Sequence, residues 1–349
     1  MEFYDWEKTF SYNADVSMII GARGIGKTYG LRKQCIKDFI RDKSRFVEVC
    51  RFKSELGPIM DGYFSKLETE YPGYIFKTEK RKGYIATKPE DEKTKPTWEV
   101  ICYFLALTDS QNAKKRTYKN VRRIIFDEAI LEAYDMHHKY IPREYIKLAN
   151  IVDTVTRERP DTNVRPHLYL LSNSVSLDNP YFLEYKISKM PKFGFTWYRN
   201  KTVLLHYVDP GEYADRKIKE TLSGRMIAGT SEEATAARNL FAEPAADLIA
   251  KKPRAAKFEL GFIDGGKPLG VWADYVNGYY YINGKIPKDT NKPVYYVTRE
   301  DATANILAAR RASTWMHALF EAHYANFIRY ESVSCMNRFL DMLQKFGLS

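Results

Sequence analysis

The eight residues Gly21-Ala22-Arg23-Gly24-Ile25-Gly26-Lys27-Thr28 fit the spacing G-x-x-x-x-G-K-[ST]. The residue types at its fixed positions suit one ligand, a polyphosphate. Gly21, Gly24 and Gly26 allow a tight turn whose backbone N–H groups converge on phosphate oxygens. Lys27 is placed to reach the β- and γ-phosphates of ATP, and the Thr28 hydroxyl to ligate Mg²⁺. A strand-like run, Val16–Ile20, precedes the turn, and a helical pattern over Thr28–Arg41 follows it. The positive end of that helix dipole then faces the same ligand.

A second set supplies what a bound triphosphate needs in order to react. Val121-Arg122-Arg123-Ile124-Ile125-Phe126 reads as an apolar strand that runs into Asp127-Glu128. Asp127 can hold Mg²⁺ through water, and Glu128 can orient and polarise an attacking water. Alone, a strand ending in two acids is a common solvated strand end; after a phosphate loop, in this order, the pair reads as catalytic. A third strand, Leu168–Leu171, leads to Asn173, a candidate γ-phosphate sensor whose plainer alternative is a turn cap. Arg157 and Arg159 close an amphipathic helix, Arg143–Arg157, whose apolar face carries Tyr145, Leu148, Val152 and Val155. Such arginines either meet solvent or reach a neighbouring subunit's γ-phosphate as an arginine finger. The basic cluster Asn112–Lys119 is a candidate polyanion contact.

These residues need a scaffold that brings distant strand ends together. Strands are predicted at Val16–Ile20, Phe46–Cys50, Trp98–Leu107, Arg123–Phe126 and Leu168–Leu171, with helices between them. That alternation implies an α/β P-loop NTPase fold built on a doubly wound, mostly parallel sheet. A hairpin over Ile75–Ala86 reads as an excursion from it. The composition shifts after about Asp209, which sets the expected organisation as an ATPase domain at 1–209, a helical linker or lid at 210–243 and a smaller α+β domain at 244–349. In the last, strands are expected at Phe258–Phe262, Pro268–Ala273, Gly278–Ile282 and Val294–Thr298, then helices at Ala302–Ala325 and Ser334–Phe346.

The 349 residues carry a net charge of +11 and are 44% hydrophobic, the balance of a globular chain with a polyanionic partner. No run of about eighteen apolar residues suggests a membrane span, and Met1–Trp6 lacks the apolar core of a signal peptide. Four scattered cysteines, Cys35, Cys50, Cys102 and Cys335, read as reduced, buried thiols of a cytosolic protein.

Taken in order, these residues resemble the genome-packaging ATPases of small short-tailed phages with protein-primed replication, the phi-29-type encapsidation proteins. The resemblance rests on Ile20–Lys27, Arg51–Leu56, Ile125–Glu128, Asp153–Val155, Leu171–Ser176, Asn179–Leu183 and, in the second domain, Leu269–Asp274. It implies an additional-strand catalytic-glutamate ATPase, working as a homopentameric ring on the portal (connector) of an empty procapsid in the host cytoplasm and drawing in double-stranded DNA. A packaging RNA is a conditional further partner. By resemblance, Glu128 is the catalytic glutamate, Arg157 the finger, Lys114 a second group acting across the subunit boundary, and Lys53 a DNA-gripping lysine. Relatives can carry consecutive arginines where this chain has Cys50-Arg51. The resemblance also makes the C-terminal domain an RNase H-like fold without its metal-binding acids. Its candidate acids are Glu259, Asp264, Asp274 and Asp289, and none forms a motif comparable to Asp127-Glu128. Two rivals are a terminase-type motor with an active nuclease and a non-motor nucleotide switch.

Overall fold

A computed structural model describes residues 4–91, 93–131, 140–157, 165–173, 179–187, 191–230, 233, 248–303 and 306–348. The described chain falls into two compact units: Met1–Ile130 with Arg143–Ser174 and Phe193–Asn239, and Leu131–Pro142 with Val175–Lys192 and Leu240–Ser349.

The first unit is built on nine strands: β1 Val16–Ile20, β2 Arg45–Cys50, β3 Tyr74–Glu79, β4 Lys82–Thr87, β5 Glu99–Ala106, β6 Val121–Phe126, β7 His167–Ser172, β8 Gly194–Tyr198 and β9 Val203–Tyr207. They lie in the order β3-β4-β5-β2-β6-β7-β1-β9-β8. From β5 to β9 every pairing is parallel. The inner strands β1, β2, β6 and β7 are buried along nearly their whole length, as parallel strands covered on both faces must be. Ile20 pairs with Ser172 and Phe126 with Leu170, so these strands end together at one edge of the sheet. The helix Lys27–Asp42 buries Leu31, Cys35, Ile36 and Phe39 in a cluster with Phe46, Phe104, Ile125 and Tyr169. Two ion pairs fasten it to the sheet, the half-buried Arg32–Glu48 at 2.6 Å and the buried Asp38–Arg123 at 2.6 Å. All four cysteines are buried free thiols. Among the described residues no helix is long and apolar enough to cross a membrane.

The five sequence-predicted strands of this sheet are all present, and two features differ from expectation. The hairpin at 75–86 is no excursion: β4 pairs antiparallel with β5, so the hairpin extends the main sheet at its edge. Its turn is Lys80-Arg81, both with positive φ (51° and 62°), the geometry that continues strand twist through a two-residue loop. A second hairpin, β8–β9, had no sequence signal. It turns through Arg199-Asn200-Lys201, again with positive φ and without glycine, and β9 then pairs with β1.

The second unit holds a six-stranded mixed sheet: β10 Lys257–Asp264, β11 Lys267–Asp274, β12 Tyr279–Asn283, β13 Val294–Tyr296, β14 Leu307–Ala308 and β15 Ile328–Tyr330. Its order is β14-β13-β10-β11-β12-β15. The expected turn between β10 and β11 forms at Gly265-Gly266, φ 57° and 72°. The helix expected over Ala302–Ala325 is shorter, spanning Ser313–Tyr324. Leu307–Ala308 ahead of it is drawn into the sheet against β13, a tertiary pairing that overrides local helix preference. The helix Val333–Lys345 packs on Pro180–Tyr185, and Asn337 Nδ2 donates to the Asn179 carbonyl at 3.3 Å. Those contacts place Asn179–Tyr185 in the second unit although it follows the first unit's strands in sequence.

Candidate active site

The phosphate loop leaves β1 and enters the helix Lys27–Asp42 through two left-handed residues, Gly24 (φ 92°) and Gly26 (φ 80°). A side chain at either position is strained by its backbone, and at Gly24 a Cβ would also collide with the Tyr213 hydroxyl. The Gly21 N–H is anchored on the Ser172 carbonyl at 3.1 Å, which ties the start of the loop to the end of β7.

Strand order then decides which residues meet. β7 lies between β1, which carries the loop, and β6, which carries the acids. Asn173, just past β7, therefore stands between Lys27 and Asp127-Glu128. Lys27 Nζ donates to Asn173 Oδ1 at 3.1 Å and to the carbonyls of Gly21 and Ala22 at 2.7 and 3.0 Å. Thr28 Oγ1 donates to Asp127 Oδ2 at 2.8 Å. Four residues from three strand ends thus form two hydrogen-bonded pairs along one edge. A hydroxyl and a carboxylate, both hard oxygen donors with few protein neighbours, fit Mg²⁺, which keeps several of its waters.

Glu128 follows with a left-handed backbone (φ 53°) and an exposed side chain, and its N–H donates to Asp127 Oδ1 at 3.1 Å. The next two N–H groups are fixed to the β7 end, Ala129 to the Leu171 carbonyl and Ile130 to Ser172 Oγ, each at 2.9 Å. The acids thus sit on a turn held by the same strand that carries Asn173.

Burial pushes the Lys27 ammonium down to about 8; Asp127 opposes the shift, whereas Lys217 and Arg23 add to it. A bound polyphosphate has the opposite effect, since its charge favours the protonated amine. The complex then retains a proton that the free protein loses as pH rises through about 8. Nucleotide affinity should fall by up to about tenfold per pH unit above that point. Titration calorimetry in buffers of different ionisation heat should show proton uptake there; affinity unchanged from about pH 7 to 9.5 would contradict it.

A family model described as podovirus DNA encapsidation protein (Gp16) matches residues 1–347. The chain belongs to that family. The DNA packaging protein of Bacillus phage phi29 is 30% identical to it over 348 residues, covering 99% of this chain and 98% of that protein. That of Bacillus phage B103 is 32% identical over 291 residues, covering 83% and 84%. A solved structure of the bacteriophage phi29 viral genome packaging motor assembly aligns over 99% of both chains with TM-score 0.70 and 27% identity. The N-terminal domain of the DNA packaging ATPase from phi29 is 33% identical, with TM-score 0.50, over 60% of this chain and 98% of that one.

In this encapsidation-family chain Arg157, Lys114 and Lys53 are exposed and stand at the ends of helical elements. Arg157 caps the C-terminus of the helix Glu144–Thr156, and its guanidinium pairs with Asp153 at 2.6 Å. Arg159 lies outside the described residues. Lys114 ends the short helix Ser110–Ala113, and Lys53 opens a 3₁₀ turn after β2, its N–H donating to Thr108 Oγ1 at 3.0 Å. Two residues the sequence did not single out touch the loop directly. Tyr213 Oη and Lys217 Nζ, four apart on the helix Gly211–Glu220, donate to the Arg23 carbonyl at 3.0 and 3.4 Å. The available signal was their i, i+4 spacing in a basic helical stretch, which fixes a shared face but not its target.

In the second unit three of the four candidate acids have separate partners. Glu259 holds Lys292 and the Tyr275 hydroxyl, Asp264 holds Lys345, and Asp274 accepts from Val276 and Asn277 of its own turn.

Proposed function

We propose that the chain is the ATP-hydrolysing subunit of a ring motor that drives double-stranded DNA into an empty procapsid. The observation that carries this reading is the strand order β6-β7-β1, which sets Asn173 between the phosphate loop and Asp127-Glu128. Gly21, Ala22, Arg23, Gly24, Ile25, Gly26, Lys27 and Thr28 would cradle the phosphates. Thr28 and Asp127 would hold Mg²⁺, which when bound draws charge off the γ-phosphate. Glu128 would align and deprotonate the attacking water, and Asn173 would report the γ-phosphate.

Arg157 belongs to the neighbour's site in this reading. Its helix starts at Glu144, whose carboxylate holds Arg51 beside the Glu128 turn, and runs 13 residues, about 20 Å at 1.5 Å per residue. That length carries Arg157 away from its own subunit's acids. An exposed arginine suits the active site of the next subunit in a ring, with Lys114 offered across the same boundary. Lys53 would grip DNA through phosphate contacts, which suit any sequence. The ring, a pentamer by resemblance, would sit on the portal in the host cytoplasm, with a packaging RNA as a conditional tether.

Residues 1–209 would be the ATPase domain, 210–243 its lid and 244–349 a nuclease-like domain that contacts DNA without cutting it. The dispersal of Glu259, Asp264 and Asp274 onto separate partners supports that last role, since two-metal cleavage needs converging carboxylates. The test is ATP turnover with and without double-stranded DNA across a salt series. DNA should stimulate turnover, and stimulation should decline steeply with salt. Turnover indifferent to DNA would favour a nucleotide switch.

A further inference from the structure

Arg51 directly follows β2 and is buried, its side chain 5% exposed, beside the turn that carries Asp127-Glu128. Its guanidinium makes a two-pronged ion pair with Glu144, Nε to Oε2 at 2.8 Å and an Nη to Oε1 at 3.0 Å. Glu144 is 1% exposed. The same guanidinium donates to the carbonyls of Glu128, at 3.3 and 3.4 Å, and of Ala129, at 2.9 Å. It also lies over the Phe126 ring at 5.2 Å. At its backbone, the N–H groups of Arg51 and Phe52 donate to Glu55 Oε2 at 3.0 and 3.2 Å.

Glu128 needs such a clamp. A non-glycine residue in the left-handed region is strained and persists only where its surroundings over-determine it. The β7 end holds the turn through the N–H groups of Ala129 and Ile130, whereas Arg51 holds it through the carbonyls of Glu128 and Ala129. These two sets of bonds fix the backbone of the turn and with it the direction in which the Glu128 Cα–Cβ bond leaves it. Glu144 in turn opens the helix that ends at Arg157, so the clamp joins the acid turn to the base of the element that carries the finger.

We infer that Arg51 is a positioning residue for hydrolysis: it holds the Glu128 turn and fastens it to the helix Glu144–Thr156. This rests on the reading of Glu128 as the water-activating group. A planar fork is needed to meet a carboxylate and two carbonyls together; lysine, a point charge, keeps the ion pair and loses the fork.

Steady-state ATP hydrolysis tests it with three variants of the full chain. Arg51→Lys should lower kcat about tenfold, and the uncharged pair Arg51→Met with Glu144→Gln about 100-fold, each with KM within about twofold, since a displaced general base removes transition-state and not ground-state stabilisation. A merely structural ion pair would leave Arg51→Lys at the parent kcat, and that result overturns the inference. Should the paired variant not fold, Arg51→Lys decides alone. Glu128→Gln separates the two claims. If it hydrolyses ATP at the parent rate, the reading of Glu128 fails and the inference with it. If it is inactive while both Arg51 variants keep parent kcat, the inference alone is overturned.

Discussion

Replacing Glu128 with glutamine should reduce ATP turnover by about 10³-fold and leave nucleotide affinity within about twofold, because a positioned general base is worth 10² to 10⁴. Glutamine keeps the size and the hydrogen-bonding reach of the side chain but cannot take a proton from water. The phosphate cradle has bonds of its own: Lys27 is held by Asn173 and the loop carbonyls, and Thr28 by Asp127. Single-turnover hydrolysis with an independent measure of nucleotide binding checks both halves. A variant that hydrolyses within about tenfold of the parent would remove Glu128 from the chemistry.

Arg157→Ala should cost about as much, on the order of 10³-fold, as an arginine finger typically contributes. Its exposure and its pairing with Asp153, an exposed helical contact worth little, mean that folding should survive the change. The informative result comes from mixing. In the proposed ring of identical head-to-tail contacts, each site would take its acid from one subunit and its finger from the next. Equal amounts of Arg157→Ala and Glu128→Gln subunits then leave about a quarter of interfaces, half times half, with both groups present. Turnover of the mixture should rise well above either variant alone, up to about that fraction of the parent rate. No recovery on mixing would argue that each site is complete within one subunit.

Much of this site was legible because its chemistry is local in sequence. The loop from Gly21 to Thr28 is one turn, its strand and helix adjoin it, and Asp127-Glu128 ends a strand whose apolar run is unbroken after Arg123. What joined them was less direct: the placement of β7 between β1 and β6 is a property of sheet order, and Asn173 entered the sequence reading only as one of two alternatives. The hairpin at 75–86 was legible as a hairpin, but its place in the main sheet was not, because its pairing with β5 is tertiary; the turn at Arg199–Lys201 escaped because it has no glycine and two of its three left-handed residues are long and charged. The β14 and β15 strands escaped because each is only two or three residues long, too short to show a period, and β15 is paired to the distant strand β12. In the sequence Arg51 appeared as the start of the matching segment Arg51–Leu56 and beside Cys50 as a departure from relatives, with no role of its own. The hydrogen-bond partners of its guanidinium are 77 to 93 residues away, so no local pattern announces the clamp.

The central claim is that hydrolysis at this site moves DNA. The most direct measurement is the amount of nuclease-protected DNA in empty procapsids incubated with portal, this chain and ATP, with the parent compared against Glu128→Gln. The account predicts full-length protected DNA for the parent and none for the variant, although both bind nucleotide. Protection by Glu128→Gln equal to the parent's would contradict it, since DNA would then enter without the chemistry that the site is built to perform.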